Sequence, residues 1–319
     1  MNAGSNNTEN LTGTGEMSCK DRSAFRKKAE ELVALMTTEE KVDLMSGLDT
    51  WHTKPVERLG IPSVMFSDGP HGLRKQLDSG DNLGIGESVP AVCFPAAVTM
   101  ACTFDPDLVY RMGKAMGEEC LQEQVSVILG PGINHKRDPR CGRNFEYYSE
   151  DPVVSGKIAA AYIKGVQSQN VLACIKHFAG NNQEWDRHSV SSDIDERTLH
   201  EIYFPAFETA VKEADVACVM TSYNLLNGVH ASESKYLNYD ILRELWGFDG
   251  IVMSDWTSCY SPLNVATWGV DLEMPLPKCI KPEILHELVR TGALDVRYLD
   301  RKCQHIIQTI LAYGFDRRE

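Results

Sequence analysis

The chain has 319 residues, enough for two average domains or for one large α/β barrel of about 250 residues. Hydrophobic residues make up 43% and charged residues 24%, which excludes wholesale disorder. The 32 basic and 45 acidic side chains leave a net charge of -13. That charge repels phosphate backbones, and the one basic candidate, Arg137, Arg140 and Arg143, is too small and too mixed with acids to bind nucleic acid.

In chain order, residues 1–20 read as a disordered tail or leader. They are rich in Asn, Thr, Gly and Ser and carry no hydrophobic segment of the kind a secretory signal needs. No apolar run approaches the ~18 residues that span a bilayer, so no membrane partner and a cytoplasmic location are expected. Residues 21–319 read as one domain. Across 21–45, Phe25, Ala29, Leu32, Leu35 and Met36 recur with helical period, and Thr38 followed by Glu39 and Glu40 reads as the cap of a second helix. Short apolar runs follow at 63–66, 125–129, 171–175, 216–220 and 250–253, with 269–272 as a less complete sixth. Apolar residues on consecutive positions suit strands buried on both faces of a parallel sheet. Helical patterns separate them at 107–124, 153–169, 196–213 and 234–245, with further ones at 282–291 and 296–313. This alternation predicts an α/β fold, a (β/α)8 TIM-like barrel with an irregular first-strand region. The ten cysteines include no CxxC pair. Cys102, Cys174 and Cys218 sit in apolar runs and read as reduced, buried thiols. No Cys/His cluster has metal-ligand spacing, and no cofactor is implied.

Polar residues gather directly after these runs, where the active site of a barrel forms. The first run leads into Ser67-Asp68-Gly69-Pro70-His71-Gly72-Leu73-Arg74. The second leads to Asn134 and then Gly142-Arg143-Asn144-Phe145-Glu146. The third gives Lys176 and His177, followed by Asn181, Asn182, Gln183, Glu184 and Arg187. The fourth gives Met220, Thr221, Ser222, Tyr223 and Asn224, and the fifth Ser254, Asp255 and Trp256. One Asp at a strand tip is usually a cap; five enriched tips are harder to explain that way. Charged donors and acceptors suit a hydroxyl-rich ligand, and Trp256 and Trp185 could stack on a sugar face. The phosphate alternative has little support, because Gly130-Pro131-Gly132 is not a GxGxxG turn.

Five segments, in order, are similar to those of glycoside hydrolase family 3. Gly247-Phe248-Asp249-Gly250-Ile251-Val252-Met253-Ser254-Asp255-Trp256 resembles the nucleophile signature. Lys176-His177-Phe178-Ala179-Gly180-Asn181-Asn182-Gln183-Glu184 resembles the Lys-His segment in its β-glucosidase form. Segments 67–74, 142–146 and Asp271-Leu272-Glu273-Met274-Pro275 also match. The resemblance implies a retaining β-glucosidase-type hydrolase acting on a β-glucoside or oligosaccharide, with Asp255 as nucleophile. It implies that Asp68, Arg143, Lys176, His177, Arg187, Tyr223 and Trp256 line the sugar site, with Arg74 and Met220 adjacent. Lys176 and Arg143 are expected to hold the Asp255 pKa low. Asp271 and Glu273 are expected to hold strand ends and loops.

A retaining enzyme needs a second carboxyl as acid/base. In two-domain relatives of this kind it comes from a following α/β sandwich domain, and this chain ends where that domain would begin. The expectation is therefore a second family domain absent here, with self-association or a second chain completing the site. Two alternatives stand beside it: a non-catalytic sugar-binding barrel, and a one-domain β-N-acetylglucosaminidase in which His188, paired with Asp186, supplies the proton.

Overall fold

The computed structural model describes residues 21–76 and 86–317; the tail expected at 1–20 lies outside the described residues. Eight short strands occur among them: β1 Phe66–Ser67, β2 Val127–Ile128, β3 Leu172–Phe178, β4 Ser191–Ser192, β5 Cys218–Thr221, β6 Leu225–Leu226, β7 Val229–His230 and β8 Ile251–Met253. Five form one parallel sheet in the order β1-β2-β3-β5-β8. The other three make a small sheet, β4-β6-β7, outside it. All seven residues of β3 are buried: the apolar run that ends at Ile175 suits burial on both faces, and Lys176 and His177 are buried with it.

Helices link the parallel strands. Pro106–Gln122 connects β1 to β2, Pro152–Gln167 connects β2 to β3, and Pro205–Ala214 precedes β5. A π-helix, Tyr236–Leu245, precedes β8. The two long helices approach closely because Gly113 and Gly165 have no side chain: a Cβ on Gly113 would lie 2.3 Å from the Tyr162 carbonyl oxygen. Under the sheet, Phe178 packs against Phe204, Phe207 and Trp246 with ring centroids 5.7, 5.0 and 5.7 Å away.

The α/β class is as expected, and the regular sheet is a curled parallel half-barrel consistent with a TIM-like domain. Past β8 the ladder reduces to single bridges: Met253 to Leu272 and Ser46 to Glu273, both parallel, then Gly47 to Thr53 and His52 to Met65, both antiparallel. The expected sixth strand at 269–272 is thus one bridge at Leu272. The helix expected over 196–213 is broken, because Pro205 has no amide proton to continue it and starts a new helix at its first position. Thr37, not Thr38, caps the second helix, in a capping box with Glu40. Cys102 is exposed rather than buried, while Cys174 and Cys218 are buried; all nine described cysteines are free.

Candidate active site

The side chains after the parallel strands converge at their carboxyl ends. Lys176 is only 4% exposed; its Nζ donates to Asp68 Oδ1 at 3.0 Å and lies 3.8 Å from Glu146 Oε2. Burial would lower the Lys176 pKa, but Asp68 and Glu146 outweigh it and the net direction is up. Asp68 moves the other way: against the cost of burial, Lys176 holds its carboxyl below the ordinary range. Arg143 pairs with Glu146 through Nε. Its Nη2 lies 2.9 Å from His177 Nε2. A guanidinium can only donate, so His177 Nε2 accepts and the proton of the neutral ring sits on Nδ1, 3.2 Å from the Tyr147 hydroxyl. Burial, then the charges of Arg143 and Lys176, push the His177 pKa well below its usual value, which agrees with a neutral imidazole.

Asp255 follows β8 and is buried. Its Oδ1 accepts from the Trp256 amide at 2.8 Å. Oδ2 lies 3.5 Å from His177 Nε2 and has no well-aligned hydrogen-bond donor among the described residues, although the Tyr223 hydroxyl lies against the carboxylate. The expectation of a depressed pKa is corrected here. Burial pushes the Asp255 carboxyl up, and Arg143, Lys176 and Tyr223 offset this only in part. The arrangement leaves one carboxylate oxygen without a well-aligned donor among the described residues, with the charges of Arg143 and Lys176 close enough to act on it.

Arg187 reaches this region by stacking, its guanidinium 4.1 Å from the Tyr223 ring centroid, and it pairs with Glu184 at 3.0 Å. Trp256 lies beside Trp51, with centroids 5.3 Å apart. Met220 is buried on β5 beside Met253. Arg74 joins through its backbone amide, which donates to the Asp68 carbonyl at 3.0 Å. Among the described residues its guanidinium makes no ion pair. Trp185 is 83% exposed. Asp271 and Glu273 hold structure, as expected: Asp271 binds Arg243, His305 and the Val252 amide, and Glu273 accepts from the Cys279 and Ile280 amides.

Residues 28–309 match the family described as Glycosyl hydrolase family 3 N terminal domain. The chain belongs to this family. It is 53% identical over 281 residues to thermostable beta-glucosidase B of Acetivibrio thermocellus, covering 88% of this chain and 37% of that protein. It is 49% identical over 276 residues to an exo-alpha-(1->6)-L-arabinopyranosidase of Bifidobacterium longum, covering 86% of this chain and 36% of that one. Among solved structures, beta-glucosidase 3B from Thermotoga neapolitana in complex with alpha-D-glucose superimposes with a TM-score of 0.84 at 38% identity, covering 92% of this chain and 44% of that one. The chain therefore spans well under half the length of these relatives.

Within this family 3 domain, Tyr147 and Trp51 escape a reading of strand tips, while Asn134 and Glu146 stood in the second tip with their partners unread. Glu146 pairs with Arg143 and faces Lys176; its place in Gly142-Arg143-Asn144-Phe145-Glu146 was the available signal. Asn134, Tyr147 and Trp51 act through contacts with no local signature. The Asp186–His188 pair does not form. His188 Nδ1 instead meets the Tyr260 hydroxyl at 2.8 Å, and its ring packs on Tyr223 with centroids 4.5 Å apart.

Proposed function

We propose that this family 3 domain carries the sugar-binding and nucleophilic half of a retaining glycoside hydrolase that releases terminal β-D-glucosyl residues. The supporting observation is Asp255: a buried carboxylate with one unpaired oxygen, set among Arg143, Lys176, His177 and Tyr223. In this reading the Asp255 oxygen bonds to the anomeric carbon as the glycosidic C–O bond breaks, giving a glycosyl ester. Water then cleaves the ester and returns the carboxylate. Asp68, Lys176, Arg143, His177 and Arg187 hold the sugar hydroxyls, Trp256 flanks the ring, and Arg74 and Met220 stand just outside. The glucose complex of the Thermotoga neapolitana relative supports glucose as the bound sugar. The curled sheet and its bridged return through 272–273 and 46–53 then form an irregular TIM-like barrel around this pocket.

The acid/base comes from outside the described residues, from a second domain or a second chain. The carboxylates nearest the pocket are already engaged: Asp68 by Lys176, Glu146 by Arg143, and Glu184 by Asn181 and Arg187. His188 without Asp186 speaks against the N-acetylglucosaminidase alternative.

The test is hydrolysis of 2,4-dinitrophenyl β-glucoside beside the 4-nitrophenyl compound. Dinitrophenolate leaves without a proton, so general acid catalysis, typically about 10²–10⁴-fold, matters only for the second substrate. Turnover of the activated substrate alone, abolished in Asp255→Asn, supports the reading. No turnover of either by folded protein favours the sugar-binding alternative, and equal turnover of both places an acid in this chain or its oligomer.

A further inference from the structure

We infer that Asn134 is a positioning residue for His177, fixing its main chain so that the imidazole faces Asp255. The inference rests on the glycosidase reading above. The ladder around His177 is irregular. On one side, β3 and β5 shift register between Ile175 and Phe178. On the other, the chain after β2 pairs only as far as Lys176, through the Gly132 to Lys176 bridge and the Ile133 amide donating to the Lys176 carbonyl at 2.8 Å. His177 is therefore a register partner of neither neighbour.

Asn134 stands where the next residue of that ladder would. Its Oδ1 accepts from the His177 amide at 2.6 Å, and its Nδ2 donates to the His177 carbonyl at 2.9 Å. A carboxamide carries the same donor and acceptor as a peptide group, so this side chain continues the ladder for one residue. Asn134 is 2% exposed and His177 1%, so neither bond competes with water and losing either leaves a buried polar group unmet. The consequence is geometric. The backbone of His177 is held by Asn134, and its ring is held by Arg143 at 2.9 Å and Tyr147 at 3.2 Å. Nε2 is thereby set 3.5 Å from the unpaired Asp255 oxygen. No other polar side chain binds both main-chain groups of His177 among the described residues.

The experiment measures kcat for 2,4-dinitrophenyl β-glucoside and the dissociation constant for glucose in the full chain. The variants are Asn134→Ala, Asn134→Asp, His177→Ala and the Asn134→Ala/His177→Ala double. Asn134→Ala is expected to lower kcat about 10- to 100-fold, the scale of a displacement of about 1 Å at a reacting centre. Glucose affinity should fall by a smaller factor than kcat, because Asp68, Lys176, Arg143 and Arg187 keep their hydroxyl contacts while only that of His177 is displaced. The double variant should be no worse than His177→Ala alone, since Asn134 acts through that ring. Asn134→Asp keeps the acceptor and the shape, so it serves if the alanine variant does not fold; it should fall between wild type and alanine. Additive losses, or a kcat within about twofold of wild type in both Asn134 variants, overturn the inference. The His177 imidazole ¹⁵N resonances give a readout independent of turnover. They should move in Asn134→Ala, and unmoved resonances overturn the inference. If wild type hydrolyses nothing, or Asp255→Asn changes nothing, the glycosidase reading fails instead, and the imidazole resonances still decide the placement of His177.

Discussion

Asp255 keeps a carboxylate in a buried setting. Because burial raises its pKa in the folded chain, the folded state binds the Asp255 proton more tightly than the unfolded state, whose value is about 3.9. The ionised side chain thus subtracts stability above that pH, and the penalty fades as pH falls towards it. Asp255→Asn should unfold at a higher urea concentration than wild type at pH 7, and the advantage should shrink towards pH 4. A lower midpoint at pH 7 would mean that Arg143 and Lys176 outweigh burial. The residues that meet here come from five strand tips, and most stood out in the sequence as polar groups in the segments that follow the apolar runs. Their charge balance was not legible, because depth of burial is set by the whole fold. Nor was the contact of Asn134 with His177, 43 positions away, or that of Tyr147, 30 positions away. A side chain that acts by gripping a distant backbone leaves no spacing to read.

One carboxylate ties several elements to the strand that delivers Asp255. Asp271 Oδ2 accepts from the Val252 amide at 2.8 Å and from Arg243 Nη2 at 2.6 Å, and Oδ1 lies 3.1 Å from His305 Nδ1. Arg243 belongs to the π-helix and His305 to the helix Val296–Ala312, so both are strapped to β8. Against the cost of burial, Arg243 and His305 hold the Asp271 carboxyl below the usual range. Its stabilising contribution is therefore present above the unfolded value of about 3.9 and is lost as pH falls below it. Asp271→Ala leaves the Arg243 guanidinium buried without its counter-charge, which should cost about 3–5 kcal/mol in denaturant titration. A loss below about 1 kcal/mol would mean that the carbonyls of Phe248 and Gly250, which Arg243 also reaches, suffice for it. At this scale the sequence was most legible where pattern and burial coincide. The helices Pro106–Gln122 and Pro152–Gln167 lie within two residues of the ranges expected from period alone, because each has an Asp cap and Pro at its first position. The return of the sheet through 272–273 and 46–53 was not legible. The bridge that joins the two ends of the return, Ser46 to Glu273, links segments more than two hundred residues apart and depends on closure of the curl, not on local preference.

For the whole molecule, the decisive quantity is the supply of protons at the pocket. In the proposed reaction one group, placed in that proposal outside the described residues, serves twice: as acid when the aglycone leaves, and as base when water attacks the ester. An activated leaving group removes the first need but not the second. The glucosyl ester on Asp255 should therefore form quickly and break slowly. Mixing the chain with excess 2,4-dinitrophenyl β-glucoside should release a burst of dinitrophenolate equal to the concentration of active sites, followed by a slow steady rate. Azide is anionic and needs no base to attack the anomeric carbon. Adding it should raise the steady rate by about 10²-fold or more, the scale of the base catalysis it replaces, and should yield β-glucosyl azide. Intact mass spectrometry during the burst should show the chain heavier by one glucosyl group, and Asp255→Asn should show none. A linear progress curve unaffected by azide would mean that ester cleavage is not limiting. In that case a base reaches the pocket from this chain or from its oligomer, and repeating the curve across protein concentrations separates the two, because only an oligomer-borne base is lost on dilution.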